Sequence, residues 1–298
     1  MTIHMTKEKN VPAYIAWIFI CIIWGTTYLA IRIGVKDISP ALFTGLRWLF
    51  AGPVLFIILL LRGYKLPHKK DLVHLSIMGI AMIGVGNGLL VFAEKYIPSG
   101  IAALIVTTIP FWMVGFDSFL PKGKKINWMI LSGLIIGLFG VFLIFSGNLN
   151  VMLNHNYLVG VTGLIISMAG WTFGTLYSKH KKLSVNPLMG AAVQMIIAGT
   201  IVTLIAVSLG EFSSIKFTHN GLIAFLYLVI VGSIMSYPAY VYAVVHLPVS
   251  LVSTYAYINP LIALFLGWLV LNEEISASII AAAIVILVGV TLVKKGSV

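Results

Sequence analysis

Apolar residues run along this chain in long unbroken stretches and do not alternate with polar ones. A hydrocarbon layer about 30 Å thick is crossed by about 20 apolar helical residues. Ten stretches meet that length, roughly 13–33, 41–61, 72–93, 101–119, 127–147, 158–178, 187–209, 221–243, 249–271 and 276–293. Continuous runs predict helices, because the strands of a membrane barrel would alternate. The first run follows Lys7 and Lys9, as a signal peptide would. It is too long for a signal core and shows no clear small-residue cleavage site, so it is expected to stay as the first membrane helix. The expected class is an all-α membrane protein with ten transmembrane helices, no soluble domain and no long linker.

Composition sharpens that reading. Of 298 residues, 60% are hydrophobic and 9% charged; soluble domains carry about 25% charge. So few charges cannot cover a soluble globule, which excludes a cytosolic enzyme, a secreted domain and a disordered chain. The net charge of +11 would suggest nucleic acid in a soluble protein. Here the Lys and Arg lie between apolar runs, where they record topology. With the N-terminus inside, fourteen basic residues fall in the inner arms and loops, and four (Arg32, Lys36, Lys95, Lys216) fall outside. Both termini are therefore expected in the cytoplasm. Cys21 is the single cysteine, so no intrachain disulfide can form.

The two halves repeat. Trp24 aligns with Trp171, Pro40 with Pro187, Arg47 with Gln194, and Ala51-Gly52 with Ala198-Gly199, all 147 residues apart. Ala93 aligns with Ala243, Pro98 with Pro248 and Pro110 with Pro260, all 150 apart. Two repeats are expected, over 13–147 and 158–293. Five helices per repeat is an odd number, so the second repeat enters the membrane in the opposite sense. Inverted repeats of this kind build secondary transporters, with a site at mid-membrane between them. A duplicated bundle without transport is the plainer alternative.

These residues resemble the EamA-type families of the drug/metabolite transporter superfamily. The first helix carries Trp24-Gly25 and Thr26-Thr27-Tyr28, and the second opens Pro40-Ala41-Leu42-Phe43 and reaches Arg47. Ala93-Glu94-Lys95-Tyr96-Ile97-Pro98, then Ala102-Ala103-Leu104 and Pro110, continue the likeness. The second half adds Tyr242-Ala243, Leu247-Pro248, Asn259-Pro260, Gly267-Trp268 and Glu274. The resemblance spans about 280 residues. It implies a carrier in the bacterial cytoplasmic membrane that exports small metabolites or amino acids by alternating access. A multidrug or amine efflux carrier and a channel-like pore are the alternatives. One departure stands out: where the family pattern often has a Glu after the fourth helix, this chain has Pro121-Lys122-Gly123-Lys124-Lys125. A symmetric pair of carboxylates with Glu274 is therefore in doubt.

Candidate chemistry lies in mid-membrane aromatics and amides. Trp24 and Tyr28 share a helix face, as do Thr108 and Trp112, and Tyr255 and Asn259. Trp171 is the repeat mate of Trp24, Tyr237 and Tyr240 sit three apart in the eighth helix, and Asn87 lies among Gly84, Gly86 and Gly88. These ten are the expected substrate-binding residues; packing is the alternative for each. Aromatic walls with scattered hydroxyls suit amphipathic solutes and, through cation–π contact, amines. Pro110 and Pro260 are expected to kink helices four and nine, as gates or as shape. Pro98 and Pro248 read as structural. Arg47 could receive a solute carboxylate, but an anchor reaching a headgroup or Asp37 is preferred, because the residue is typical of the resembling family. No carboxylate lies at a helix centre: Asp117 and Glu94 sit near helix ends, and His74 and His246 read as interfacial. Gly133/Gly137 and Gly170/Gly174 read as close internal packing. No P-loop, H-E-x-x-H, G-x-S-x-G or Cys/His metal spacing occurs. The expected partners are therefore a small solute and the bilayer, with no cofactor, metal or nucleic acid and a monomer preferred.

Overall fold

The structure is a computed structural model that describes residues 11–118, 127–146, 154–181, 183–216 and 218–296. The Pro121–Lys125 departure lies outside them. Every regular element described is helical. In chain order these are α1 (Val11–Gly34), α2 (Pro40–Leu61), α3 (Lys69–Ala93), α4 (Ser99–Ser118), α5 (Trp128–Ser146), α6 (His155–His180), α7 (Pro187–Ser208), α8 (His219–His246), α9 (Val249–Val252 then Tyr255–Leu271) and α10 (Ala277–Gly296). Seven of them, α1–α4 and α6–α8, are long and apolar enough to cross a membrane, and three shorter apolar helices accompany them.

The bundle presents apolar side chains outward as well as inward. Ile15, Ile18 and Ile22 on α1, and Leu261, Phe265 and Trp268 on α9, are exposed. A surface of this kind is solvated by lipid and would aggregate in water.

Helix packing is matched between the halves. α2 lies on α7 and α5 on α10; α1 contacts α8 and α9, while α6 contacts α3 and α4. Small residues make the tightest approaches. A Cβ on Gly199 would meet the Leu49 backbone nitrogen at 2.5 Å, and one on Gly133 would meet the Gly289 carbonyl at 2.6 Å. Gly170 packs in the same way on Val85.

Four helices depart from regular α geometry. α3 is π-helical over Ile80–Asn87 and α8 over Leu228–Met235, stretches 148 residues apart. α4 breaks at Thr107–Thr108 and α9 at Ser253–Thr254. Threonine hydroxyls bond back to carbonyls that the same residues' N–H groups also reach: Thr107 donates to Ala103 at 3.0 Å, Thr108 to Ile105 at 2.8 Å and Thr254 to Leu251 at 2.7 Å. Pro110 is the second residue after the α4 break, where its missing N–H costs little. Pro260 instead lies inside the second part of α9.

Carboxylates staple one end of the bundle, always across the halves. Asp37 accepts from the Thr218 backbone N–H at 2.8 Å and from its hydroxyl. Glu211 accepts from the Ser39 hydroxyl at 2.6 Å and the Leu42 N–H at 3.2 Å. Glu273 accepts from the Ser99 N–H and hydroxyl at 2.9 Å and from the Gly100 N–H at 3.2 Å. Each anion sits at a helix N-terminus, where orphan N–H groups and the dipole favour it. At the other end, Ser184 donates to Asp71 at 2.6 Å and His74 bonds the Tyr177 hydroxyl at 2.7 Å. His246 stacks on Tyr242 there.

Candidate functional site

Seven helices converge on one cavity of about 70 Å³. α1 supplies Trp24, Thr27 and Tyr28 at helical spacing, and α2 supplies Arg47 and Trp48. α3 brings Gly86, Asn87 and Leu90 from its π-helical end. Val106 and Ile109 flank the α4 break. α6 adds Ser167, Met168 and Trp171; α8 adds Gly232 and Tyr237; α9 adds Tyr255 and Asn259. Ligand clefts usually measure about 300–1,000 Å³, so the chamber is closed down in this state.

The aromatic rings form one stack around it. Trp24 meets Trp171 edge-on at 5.4 Å between centroids, Tyr255 at 4.9 Å and Tyr240 at 4.9 Å. The Trp171 indole N–H donates to the Tyr240 hydroxyl at 3.1 Å, and that hydroxyl pairs with Thr175 at 2.8 Å. Trp48 donates its indole N–H to Asn87 Oδ1 at 2.9 Å and meets Tyr237 edge-on at 5.4 Å. Indole is donor-only, so the orientation of the Asn87 amide is fixed and its NH₂ is left over. The Tyr237 hydroxyl donates to Gln194. Asn259 donates from its amide nitrogen to the Tyr255 and Cys21 carbonyls at 3.0 Å each.

Seven of the ten expected residues line the cavity: Trp24, Tyr28, Asn87, Trp171, Tyr237, Tyr255 and Asn259. Three do not. Thr108 turns back to its own helix break and to the Met168 sulfur at 3.2 Å. Trp112 stacks on Phe116 instead. Tyr240 stands behind Trp24 and Trp171 as a second layer.

Arg47 corrects an expectation. It reaches neither a headgroup nor Asp37, whose carboxylate is taken up by Thr218. It is 2% exposed and lies along the cavity wall. Its Nε donates to the Ser233 hydroxyl at 2.7 Å and Nη2 to the Gly232 carbonyl at 3.0 Å, both on the π-helical stretch of α8. The guanidinium carbon lies 4.7 Å from the Trp48 ring centroid. Its third nitrogen, Nη1, is buried and bonds nothing among the described residues.

Glu94 is the second surprise. It follows α3 by one residue and is fully buried, with neither carboxylate oxygen hydrogen-bonded. Arg32 donates instead to its main-chain carbonyl. Burial pushes the Glu94 carboxyl well above the usual range; Arg32 opposes this, Glu273 adds to it and Arg47 opposes it. Sequence signalled only a residue near a helix end, because hydropathy does not show which loops are sealed. The family-typical Glu274 is exposed, and its neighbour Glu273 makes the cap on α4. Among the described residues, no group of three or more His, Cys, Asp or Glu could hold a metal.

A bundle of apolar helices closed around an aromatic, partly polar chamber is the architecture of a multi-pass membrane transporter. Comparison with known proteins agrees and gives the family. The chain belongs to the EamA-like transporter family, whose model matches residues 11–146 and 158–294, and so to the drug/metabolite transporter superfamily. It is 35% identical over 294 residues to the "Uncharacterized inner membrane transporter YedA" of Escherichia coli (strain K12), covering 98% of this chain and 94% of that one. It is 27% identical to the "Uncharacterized transporter YoaV" of Bacillus subtilis (strain 168), over 92% and 93% of the two chains. A solved structure titled "Crystal structure of protein" matches with a TM-score of 0.71 at 20% identity, over 96% of this chain and 98% of that one, which bears on the fold alone. The protein is a multi-pass transporter of the cell membrane.

Proposed function

We propose that the chain crosses the membrane ten times as two inverted five-helix repeats, with both ends in the cytoplasm. In this reading it exports small metabolites or amino acids by alternating access to the aromatic chamber. The observation that carries the reading is the matched construction of the halves. π-helical stretches recur 148 residues apart, on α3 and α8. Trp24 and Trp171, repeat mates in sequence, touch at the chamber wall. A chamber built symmetrically from two opposed units has two packings of similar energy, each open to one side. The family model matching twice along the chain supports the same reading.

Two measurements test it. Purified protein in liposomes should show saturable, countertransport-stimulated flux in a panel of amino acids and small metabolites, with and without a pH gradient. Flux that rises linearly with concentration and lacks exchange would instead support a pore. For topology, Cys21 is buried, so single cysteines can be added on a nearly silent background. Thiol labelling should place exposed Lys36 and Lys95 on one side of the membrane and exposed Lys65 and Lys181 on the other.

A further inference from the structure

The chamber contains one formal charge, Arg47, and no carboxylate among its lining residues. Two groups at its wall are donors without acceptors. Nη1 of Arg47 bonds nothing. The Asn87 NH₂ makes no hydrogen bond among the described residues, since Trp48 engages only Oδ1. Buried donors are nearly always paired in folded proteins, and an unpaired one such as Arg47 Nη1 is destabilising until an acceptor arrives; the Asn87 amide beside the chamber is half-buried. Glu94 does not fill that role: it lies within electrostatic range of Arg47 but hydrogen-bonds nothing. The rest of the wall is aromatic, from Trp24, Trp48, Trp171 and Tyr237. Aromatic faces alone would welcome amines, but a fixed guanidinium in the same chamber repels them.

Resting on the reading of this chamber as the solute site, we infer that Arg47 and Asn87 dock an acidic group, so the cargo is a small solute with a carboxylate or similar anionic group on an apolar or aromatic body. The anion accepts from Arg47 Nη1 and the Asn87 amide, and the apolar part lies against the indoles. Ser233 and Gly232 hold the guanidinium in place through its other two nitrogens. The chamber must widen to admit such a solute, and widening uncovers Nη1.

Equilibrium binding tests this without any transport assay. Intrinsic tryptophan fluorescence of the purified full-length protein reports occupancy, because three indoles line the chamber. The probes are phenylacetate, phenylacetamide and 2-phenylethylamine, close in shape and differing in charge, at neutral pH. Phenylacetate should bind at least about tenfold tighter than the other two, as expected for a charge-assisted bond in a low-dielectric site. R47Q should abolish that preference and R47K restore part of it. N87D keeps an acceptor for Trp48 but places a carboxylate beside Arg47; it should weaken phenylacetate and strengthen 2-phenylethylamine. If R47Q does not fold, the wild-type series and N87D still decide. Equal or tighter binding of the amide or amine overturns the inference, as does failure of all three probes to bind at millimolar concentration, or an N87D profile unchanged from wild type. Selective binding of the anion without flux would instead sink the transport reading and leave this one standing.

Discussion

Trp24 and Trp171 occupy equivalent positions in the two halves, and their rings meet edge to face at 80°, 5.4 Å apart. Residues that correspond by a two-fold relation can touch only near its axis. If the proposed two-fold relation holds, this contact puts its axis at the chamber; the packing of α2 on α7 and α5 on α10 is of the same kind.

The pair should be energetically coupled. A double-mutant cycle of W24L and W171L, read by unfolding in detergent, should give about 0.5–1.5 kcal/mol of interaction beyond the single losses. Additive losses would mean the rings are neighbours without a specific contact.

Glu273 and Glu274 separate cleanly despite their adjacency. E273A removes the acceptor for Ser99 and Gly100 at the start of α4 and should cost about 1–2 kcal/mol. E274A, at an exposed carboxylate, should leave thermal stability within about 0.5 kcal/mol. The opposite ranking would remove the capping assignment.

Two glycines make a matched test of close packing. G199A forces a methyl against the Leu49 backbone at 2.5 Å and should destabilise by about 1–3 kcal/mol. G115A meets nothing within 4 Å, and alanine in a helix interior should gain about 0.5–1 kcal/mol. Melting curves of the two variants check both signs.

Stability should carry a pH signature from Glu94. Its folded carboxyl holds a proton to higher pH than the ordinary 4.5 of the unfolded chain. Above that value the unfolded state loses its proton first, so stability falls as pH rises until the folded group also ionises. E94Q should lack that slope and be the more stable form at neutral pH. Parallel profiles for E94Q and wild type across the range would refute the assignment.

The all-helical membrane class was readable from hydropathy, because lipid demands continuous apolar runs. Helix faces were readable only where the helices stay α. The α4 break changes the phase on which the pairing of Thr108 with Trp112 depended, and Thr108 is consumed by the break itself. Tyr237 and Tyr240 lie three apart in the regular part of α8, on one side of it, and the π-helical stretch before them shifts which face meets the chamber relative to the first part of the helix. Arg47 was legible as a costly charge, but its partners on α8 come from 185 residues away and leave no local trace. Glu94 was hidden for the same reason: sealing of a loop is a tertiary property.

The wide turns on α3 and α8 have a mechanical consequence. Each holds its extra residue per turn with the hydrogen-bond ladder shifted to the next donor. Converting one wide turn to ordinary helix advances the register by a residue and swivels everything beyond it by about 100°. Arg47 is tied to the α8 stretch through Ser233 and Gly232, and Asn87 ends the one on α3. Such a swivel on α3 would carry Asn87 around the chamber, and one on α8 would withdraw the acceptors that tether Arg47, like the wards of a lock.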